Sequence, residues 1–267
     1  MIACVKPRNT VEWKRMKGAL PVQWDIRRVR ETGSTNEDAF TLGRAGEPAG
    51  VVVVAGSQTR GRGRMARSWF SPPGAGLYCS VLLRPAISLP EAGLLSLCAA
   101  LAMTDAVRAS GLKASVKWPN DIVFDGRKLC GILSACDGDA GGLRFAVVGS
   151  GLNLLPGSYP EELSSRAACL ADYGVRAEPE EILRRYLDSL SNAVNILEKE
   201  GFSPLRRRLE SACVLISRPV KVSGGQQAEG VAEGIGDHGE LLLRTSDGSL
   251  LPVTCGDVSV RGVNGYV

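Results

Sequence analysis

The chain has 267 residues and a formal charge of +4, with 44% hydrophobic and 22% charged residues; this ordinary globular balance leaves room for one sizeable core and a smaller second module. The mild basic excess argues against a general nucleic-acid binder and suits an anionic substrate or an acidic partner. No apolar run approaches the roughly 20 residues of a membrane helix, and the charged N-terminus lacks a signal-peptide core.

Eight cysteines without a CxxC pair, with His238 the only histidine, argue against a zinc site and for reduced, buried thiols in a cytoplasmic protein. A single histidine also weighs against a Ser-His-Asp or Cys-His hydrolase.

Residues 1–23 are polar, with one helix predicted over 11–20, and are too few for a helix-turn-helix domain with its own core. From Trp24 a strand leads through Val29 to Thr32 and Gly33. Ser34 with Glu37, or Thr35 with Asp38, makes a capping box that opens a helix to about Arg44. One hydroxyl suffices for the cap, which leaves the others for polar ligand atoms. Val51-Val52-Val53-Val54-Ala55 is a β-branched run that predicts a strand buried on both faces.

That strand delivers the chain into Gln58-Thr59-Arg60-Gly61-Arg62-Gly63-Arg64-Met65-Ala66-Arg67-Ser68-Trp69. Glycine lets backbone N–H groups approach a ligand closely, and the planar fork of arginine fits carboxylate and phosphate oxygens. Four arginines within eight residues repel one another, so the run predicts a mobile loop that orders around an anion. Taken alone, it reads first as a solvated basic loop or a nucleic-acid-binding tail.

Residues 77–83 predict another strand. Ser88-Leu89-Pro90-Glu91 is a capping box for a core helix with Leu94, Leu97, Cys98, Leu101 and Met103 on its apolar stripe, ended by Gly111. In Val116-Lys117-Trp118-Pro119-Asn120-Asp121-Ile122, Pro119 stops a strand and gathers Lys117, Asn120 and Asp121 at its end; Asn and Asp there also suit plain turn chemistry. Val123-Phe124, Asp125-Gly126 and residues 128–134 predict a hairpin. Lys128 lies just past its turn, where a lysine is ordinarily solvated.

A strand over 143–148 runs into Gly149-Ser150-Gly151-Leu152-Asn153-Leu154, whose glycines imply close backbone approach to a ligand without matching a dinucleotide fingerprint. Glu178-Pro179-Glu180-Glu181 opens a long amphipathic helix closed by Gly201, and Arg206-Arg207-Arg208 reads as a solvated helix face. Residues 219–267, short strands and turns without helix signals, predict a small antiparallel barrel.

Several of these stretches, in this order, resemble the biotin protein ligases. They are Ser34-Thr35-Asn36, the 58–69 loop, Lys117-Trp118-Pro119-Asn120-Asp121, Arg127-Lys128-Leu129-Cys130-Gly131-Ile132-Leu133, and residues 149–153. Arg218-Pro219-Val220 and Gly256-Asp257-Val258-Ser259-Val260-Arg261 match in the terminal barrel. The resemblance runs from residue 24 to the end. It implies an α+β catalytic domain over 24–218, a mixed sheet with helices related to the class II aminoacyl-tRNA synthetases. It also implies an SH3-like β-barrel over 219–267, with 1–23 as a short extension.

The resemblance further implies two chemical steps. Biotin and MgATP give biotinyl-5′-AMP and pyrophosphate; a lysine of a biotin carboxyl carrier domain then takes the biotin. Ser34, Thr35, Asn36, Gln58, Arg62, Gly63, Arg64 and Lys128 match biotin-binding positions. Arg62, Arg64, Arg67, Trp69, Lys117, Asn120, Asn153 and Arg261 match the ATP and adenylate positions, with Trp69 packing against the adenine. Lys128 and Arg64 are the implied catalytic residues, Lys128 bridging the carboxylate and the phosphate.

Two departures stand out. Met65-Ala66 replaces a variable residue followed by glycine, which removes a hinge, and Ala135-Cys136 follows where the family often carries an acidic residue, which leaves the Mg²⁺ ligands unassigned. The expected protein has no DNA-binding head and no nucleic-acid or membrane partner, and is a cytoplasmic monomer or homodimer. Rival readings are a lipoate–protein ligase, a nucleic-acid-binding module built on the Gly/Arg loop, and a biotin-binding protein without turnover.

Overall fold

The computed structural model describes residues 24–254, 258–262 and 266–267, together with the strand Asn9–Thr10. The helix predicted over 11–20 and the Gly256-Asp257 part of the terminal motif lie outside the described residues.

Strands β1 (Asn9–Thr10), β2 (Asp25–Thr32), β3 (Val51–Gln58), β4 (Gly76–Leu83), β5 (Ser115–Lys117), β6 (Asp121–Phe124), β7 (Arg127–Asp139) and β8 (Gly142–Asn153) form one sheet. Its order is β1-β2-β3-β4-β8-β7-β6-β5. Among these pairs only β2 and β3 run parallel, because helix α1 (Thr35–Arg44) carries the chain across between them. The result is the mixed α+β sheet.

The valine run explains the layering. Side chains alternate along a strand. Val52 therefore joins the main core with helices α2 (Leu94–Arg108) and α3 (Pro179–Glu200), whereas Val51 and Val53 pack with Ala39 of α1, Leu82 and Phe145 on the other face. Leu95, Leu97 and Met103 of α2 are fully buried, each contributing about 1.5–3 kcal/mol.

Four local expectations are corrected. With the 3-10 turn before it, α2 makes a 20-residue stretch, Leu89–Arg108, that is long and apolar enough to cross a membrane. The sequence reading found no such run. Most of the stretch is buried among the sheet and α3, so it is the core helix. The Ser88–Glu91 box forms, Ser88 N donating to Glu91 Oε2 at 2.8 Å, but it opens the 3-10 turn Leu89–Gly93 instead of α2 itself. At α1 no box forms. Ser34 is an extended N-cap without a side-chain cap, and Asp38 accepts the Thr32 hydroxyl at 2.6 Å. Residues 149–153 are strand, β8 continuing to Asn153 between β4 and β7.

Strands β9 (Pro219–Gly224), β10 (Ala228–Ile235), β11 (Leu241–Arg244), β12 (Leu250–Val253) and β13 (Val258–Gly262) form an antiparallel sheet in the order β12-β11-β10-β9-β13. Its edges β12 and β13 do not pair with each other among the described residues, so the expected SH3-like barrel is seen as an open five-stranded sheet. It docks firmly on the first sheet. Trp118 Nε1 donates to Gly239 O at 2.9 Å. From α4 (Ser203–Ala212), Arg206 pairs with Asp237 at 2.5 Å and Arg208 with Asp105 at 2.7 Å. Arg207 and Arg208 are exposed, as expected of a solvated helix face, and the ion pairs of Arg206 and Arg208 lie on that surface. One apolar cluster includes Leu95 of α2 together with Val220, Leu241 and Val260.

Candidate active site

A cavity of about 440 Å³ lies where the ends of β2 and β3 meet β5–β8 and β13. Every residue singled out above for biotin, ATP or catalysis lines it.

The first wall is the start of α1 with β3 and β8. Ser34 and Thr35 are buried. Gln58 Oε1 accepts from Thr35 N (2.9 Å) and Thr35 Oγ1 (3.1 Å), its Nε2 donates to Ser71 Oγ (2.8 Å), and Thr35 Oγ1 lies 2.8 Å from Ser80 Oγ. The Gln58 amide is therefore oriented by its neighbours. Asn36 Nδ2 donates to Leu133 O at 3.1 Å. A Cβ at Gly149 would lie 2.6 Å from that nitrogen, and one at Gly151 would lie 2.6 Å from Trp69 Cε2. The β8 glycines do permit close approach, but by side chains of the site itself.

The second wall is the Gly/Arg loop, which folds back on itself. Arg62 bridges Ser68, Gly63 N donates to Arg67 O at 2.7 Å, and Met65 and Ala66 make the turn with φ of 55° each. Two consecutive left-handed residues suit a tight hairpin turn, which Gly and Asn adopt cheaply and other residues at about 1–2 kcal/mol each. Arg64 reaches across the cavity, donating from Nη1 to Asn120 Oδ1 (3.0 Å) and from Nη2 to Val258 O of β13 (3.2 Å). Arg60 and Arg62 pair with Glu37 at the start of α1. Both arginines are largely exposed, so the pairs are worth about 1 kcal/mol or less and exchange readily for a ligand anion.

The third wall carries the Lys-Trp-Pro-Asn-Asp residues. Asn120 is buried and donates from Nδ2 to Ile132 O at 2.7 Å, which is more than turn chemistry. Lys128 is not solvated freely; its Nζ lies 2.6 Å from Asp121 Oδ1 and 5.1 Å from the Trp69 ring centroid. The Tyr266 hydroxyl donates to Asp121 Oδ2 at 2.5 Å. Lys117 is only 4% exposed, with its Nζ 3.5 Å from the Tyr266 ring centroid.

Burial pushes the Lys117 amine down to about 8; Asp121 opposes this, and Lys128, Arg261 and Arg67 add to it. Burial alone would raise the Asp121 carboxyl, but Lys128, then Tyr266 and Lys117, hold it below the usual carboxylate range. Burial and the Asp121 charge push the Tyr266 hydroxyl up.

Sequence reasoning gathered Asp121 with Lys117 and Asn120 but gave it no role, and it missed Tyr266 and the segment 155–167, whose Ser158, Tyr159 and Arg166 line the cavity. Leu155-Pro156-Gly157-Ser158, two residues past Asn153, is a loop signal at the edge of the site; nothing in the sequence marks Tyr266. Trp69 Nε1, Asn153 Oδ1 and Ser158 Oγ are buried without a partner among the described residues. Buried polar atoms seek partners, and all three belong to residues that line the cavity.

Residues 27–153 match the biotin/lipoate A/B protein ligase family, and residues 216–261 match the biotin protein ligase C-terminal domain. The fold is thus that of a protein ligase. The chain belongs to the biotin protein ligase family. It is 34% identical over 220 residues to the bifunctional ligase/repressor BirA of Bacillus subtilis, covering 80% of this chain and 68% of that one. It is 35% identical over 240 residues to the biotin–acetyl-CoA-carboxylase ligase of Mycobacterium tuberculosis, covering 86% of each. The solved biotin protein ligase from Aquifex aeolicus in complex with biotin and ATP is 29% identical with a TM-score of 0.78, over 89% of this chain and 98% of that one.

Proposed function

We propose that this chain attaches biotin to a lysine of a biotin carboxyl carrier domain, with ATP consumed through biotinyl-5′-AMP. The observation that carries the reading is Lys128, held 2.6 Å from a buried carboxylate beneath the Gly/Arg loop. In the first step an oxygen of the biotin carboxylate attacks the α-phosphorus, the bond to the pyrophosphate oxygen breaks, and pyrophosphate leaves. Two anions must meet, and unit charges 4 Å apart repel by about 4 kcal/mol at an effective dielectric near 20. Lys128, Arg62 and Arg64 supply the opposing cations, preorganised where phosphoryl charge develops. In the second step the carrier amine attacks the acyl carbon and AMP departs. Asp121, held below the usual range, is a poor proton acceptor and serves to orient Lys128.

ATP comes with Mg²⁺ as part of the substrate. Among the described residues lining the cavity Asp121 is the carboxylate, and it is already paired with Lys128 and Tyr266. Mg²⁺ is commonly held by one or two carboxylates plus substrate phosphates. Among the described residues the protein side therefore offers no ready-made cage.

The deciding experiment is biotin-dependent exchange of labelled pyrophosphate into ATP, with lipoate as the control acid. Exchange with biotin alone is expected. Exchange with lipoate alone would make this a lipoate ligase, and exchange with neither acid, in folded protein, would leave a binding module.

Lys117 gives the ATP step a pH dependence. As pH rises through about 8 the Lys117 amine loses its proton, and with it the attraction to the phosphates. The KM for ATP is expected to be flat below that pH and to rise above it. In Lys117→Arg the rise should vanish, since a guanidinium stays charged; a rise at the same pH in this variant would remove Lys117 as its cause.

The acyl adenylate hydrolyses if water reaches it, so residues 59–67 are expected to close over it. Amide exchange across this segment should slow when biotinyl-AMP binds, and equal protection in the apo protein would count against a lid. Ala66→Gly removes one left-handed penalty of about 1 kcal/mol from the closed turn. Dissociation of biotinyl-AMP should slow several-fold in that variant, as read by its off-rate.

A further inference from the structure

Resting on the biotinylation reading, we propose that Tyr266 is a positioning residue for adenylation: its hydroxyl fixes Asp121, and through it the ammonium of Lys128, while its ring covers Lys117. The contacts form a relay. Tyr266 donates to one oxygen of Asp121 at 2.5 Å, and the other oxygen holds Lys128 Nζ at 2.6 Å. The Asp121 backbone is already fixed, since it opens β6 and pairs with Lys117 of β5 and Gly131 of β7. The freedom left to it is rotation of the side chain. A carboxylate held at one oxygen can swing, whereas one held at both offers Lys128 a single position. On the other side of the tyrosine, Lys117 Nζ stands 3.5 Å from the ring centroid, within cation–π range.

Tyr266 reaches the site from the second sheet. It follows β13, whose Val258 O receives Arg64 Nη2, and the adjacent Val267 packs against the main core. Tyr266 also lines a second cavity, of about 710 Å³, together with Arg166 and Arg261, which line the first cavity as well. The C-terminal sheet thus places one aromatic side chain between two cavities, in contact with Lys117 and with the partner of Lys128.

The test compares Tyr266→Phe, Tyr266→Ala, Asp121→Asn and the Tyr266→Phe/Asp121→Asn pair in biotin-dependent pyrophosphate exchange. Tyr266→Phe keeps the ring and removes the hydroxyl. Its kcat is expected to fall about tenfold, the loss of one charge-assisted hydrogen bond, with KM for ATP and biotin within about twofold and the melting temperature unchanged. Tyr266→Ala should in addition raise KM for ATP by about tenfold, as Lys117 loses its cover. In the Asp121→Asn background Tyr266→Phe should cost little more, because the hydroxyl acts through the carboxylate.

Full kcat in Tyr266→Phe, additive losses in the pair, or losses that merely track melting temperature would overturn the proposal. Wild-type protein inactive with biotin would overturn the biotinylation reading instead. Acetic anhydride labelling, read by mass spectrometry, tests the ring's cover over Lys117 without activity. Lys117 should label several-fold faster in Tyr266→Ala but not in Tyr266→Phe, and unchanged labelling in Tyr266→Ala would refute the ring's role whatever the enzyme catalyses.

Discussion

Lys128→Ala is expected to cut biotin-dependent pyrophosphate exchange by at least about a hundredfold, the usual cost of removing one preorganised charge from a transition state. The same substitution leaves Asp121 buried beside Tyr266 without its cation, at a cost of about 1–3 kcal/mol. The sign follows from linkage. The Asp121 carboxyl sits below its ordinary value in the folded protein, so it contributes stability that is present above the unfolded pKa and is lost as pH falls through the folded one. Without Lys128, burial governs and the carboxyl titrates higher, so the contribution shrinks at neutral pH. Lys128→Ala should therefore melt lower than wild type at pH 7, and the gap should narrow in acid. Adding Asp121→Asn should recover melting temperature without recovering exchange. Equal melting of wild type and Lys128→Ala at neutral pH would mean that the pair contributes nothing to the fold.

Gly151→Val is expected to disable the nucleotide side of the site while sparing the acid side. Gly151 pairs with Tyr78 on one flank and Gly131 on the other, in the middle of the sheet. The strand cannot retreat, and the added side chain must displace the Trp69 ring, whose Nε1 and Cε2 both crowd the position of a Cβ, Cε2 at 2.6 Å. An aromatic platform under a base is worth about 1–3 kcal/mol, so KM for ATP should rise roughly ten- to hundredfold with biotin binding within a few-fold of wild type. Trp69→Ala should give the same loss, and the two substitutions together no more than either alone. A normal KM for ATP in folded Gly151→Val would show that Trp69 does not carry the adenine.

The valine run, the Asp125-Gly126 turn and the spacing of turn residues after Pro219 were enough to mark strands of both sheets but not their order, because alternation and left-handed turns are local properties of the chain. The site was legible where residues cluster in sequence, as in the Gly/Arg loop and around Lys117 and Lys128. What escaped was long-range. Whether Thr35 caps a helix with Asp38 or faces a ligand depends on whether Thr32 takes Asp38 first. That β8 runs on through Gly149 and Gly151 depends on β4 and β7 pairing on either side. Tyr266 meets Asp121 from 145 residues away, a distance over which no periodicity or spacing carries information.

The composition change at Pro219 marks a boundary in the sequence but not in the energetics. Leu95, Val220, Leu241 and Val260 belong to one apolar cluster, and Trp118 is hydrogen-bonded across the junction to Gly239. A chain built this way has no half that can melt alone. Loss of the small sheet bares the core helix, and loss of the core helix strands the small sheet. Heat should carry both through a single cooperative transition, so a substitution that loosens β10 or β11, far from any ligand, reaches catalysis through the fraction of molecules folded.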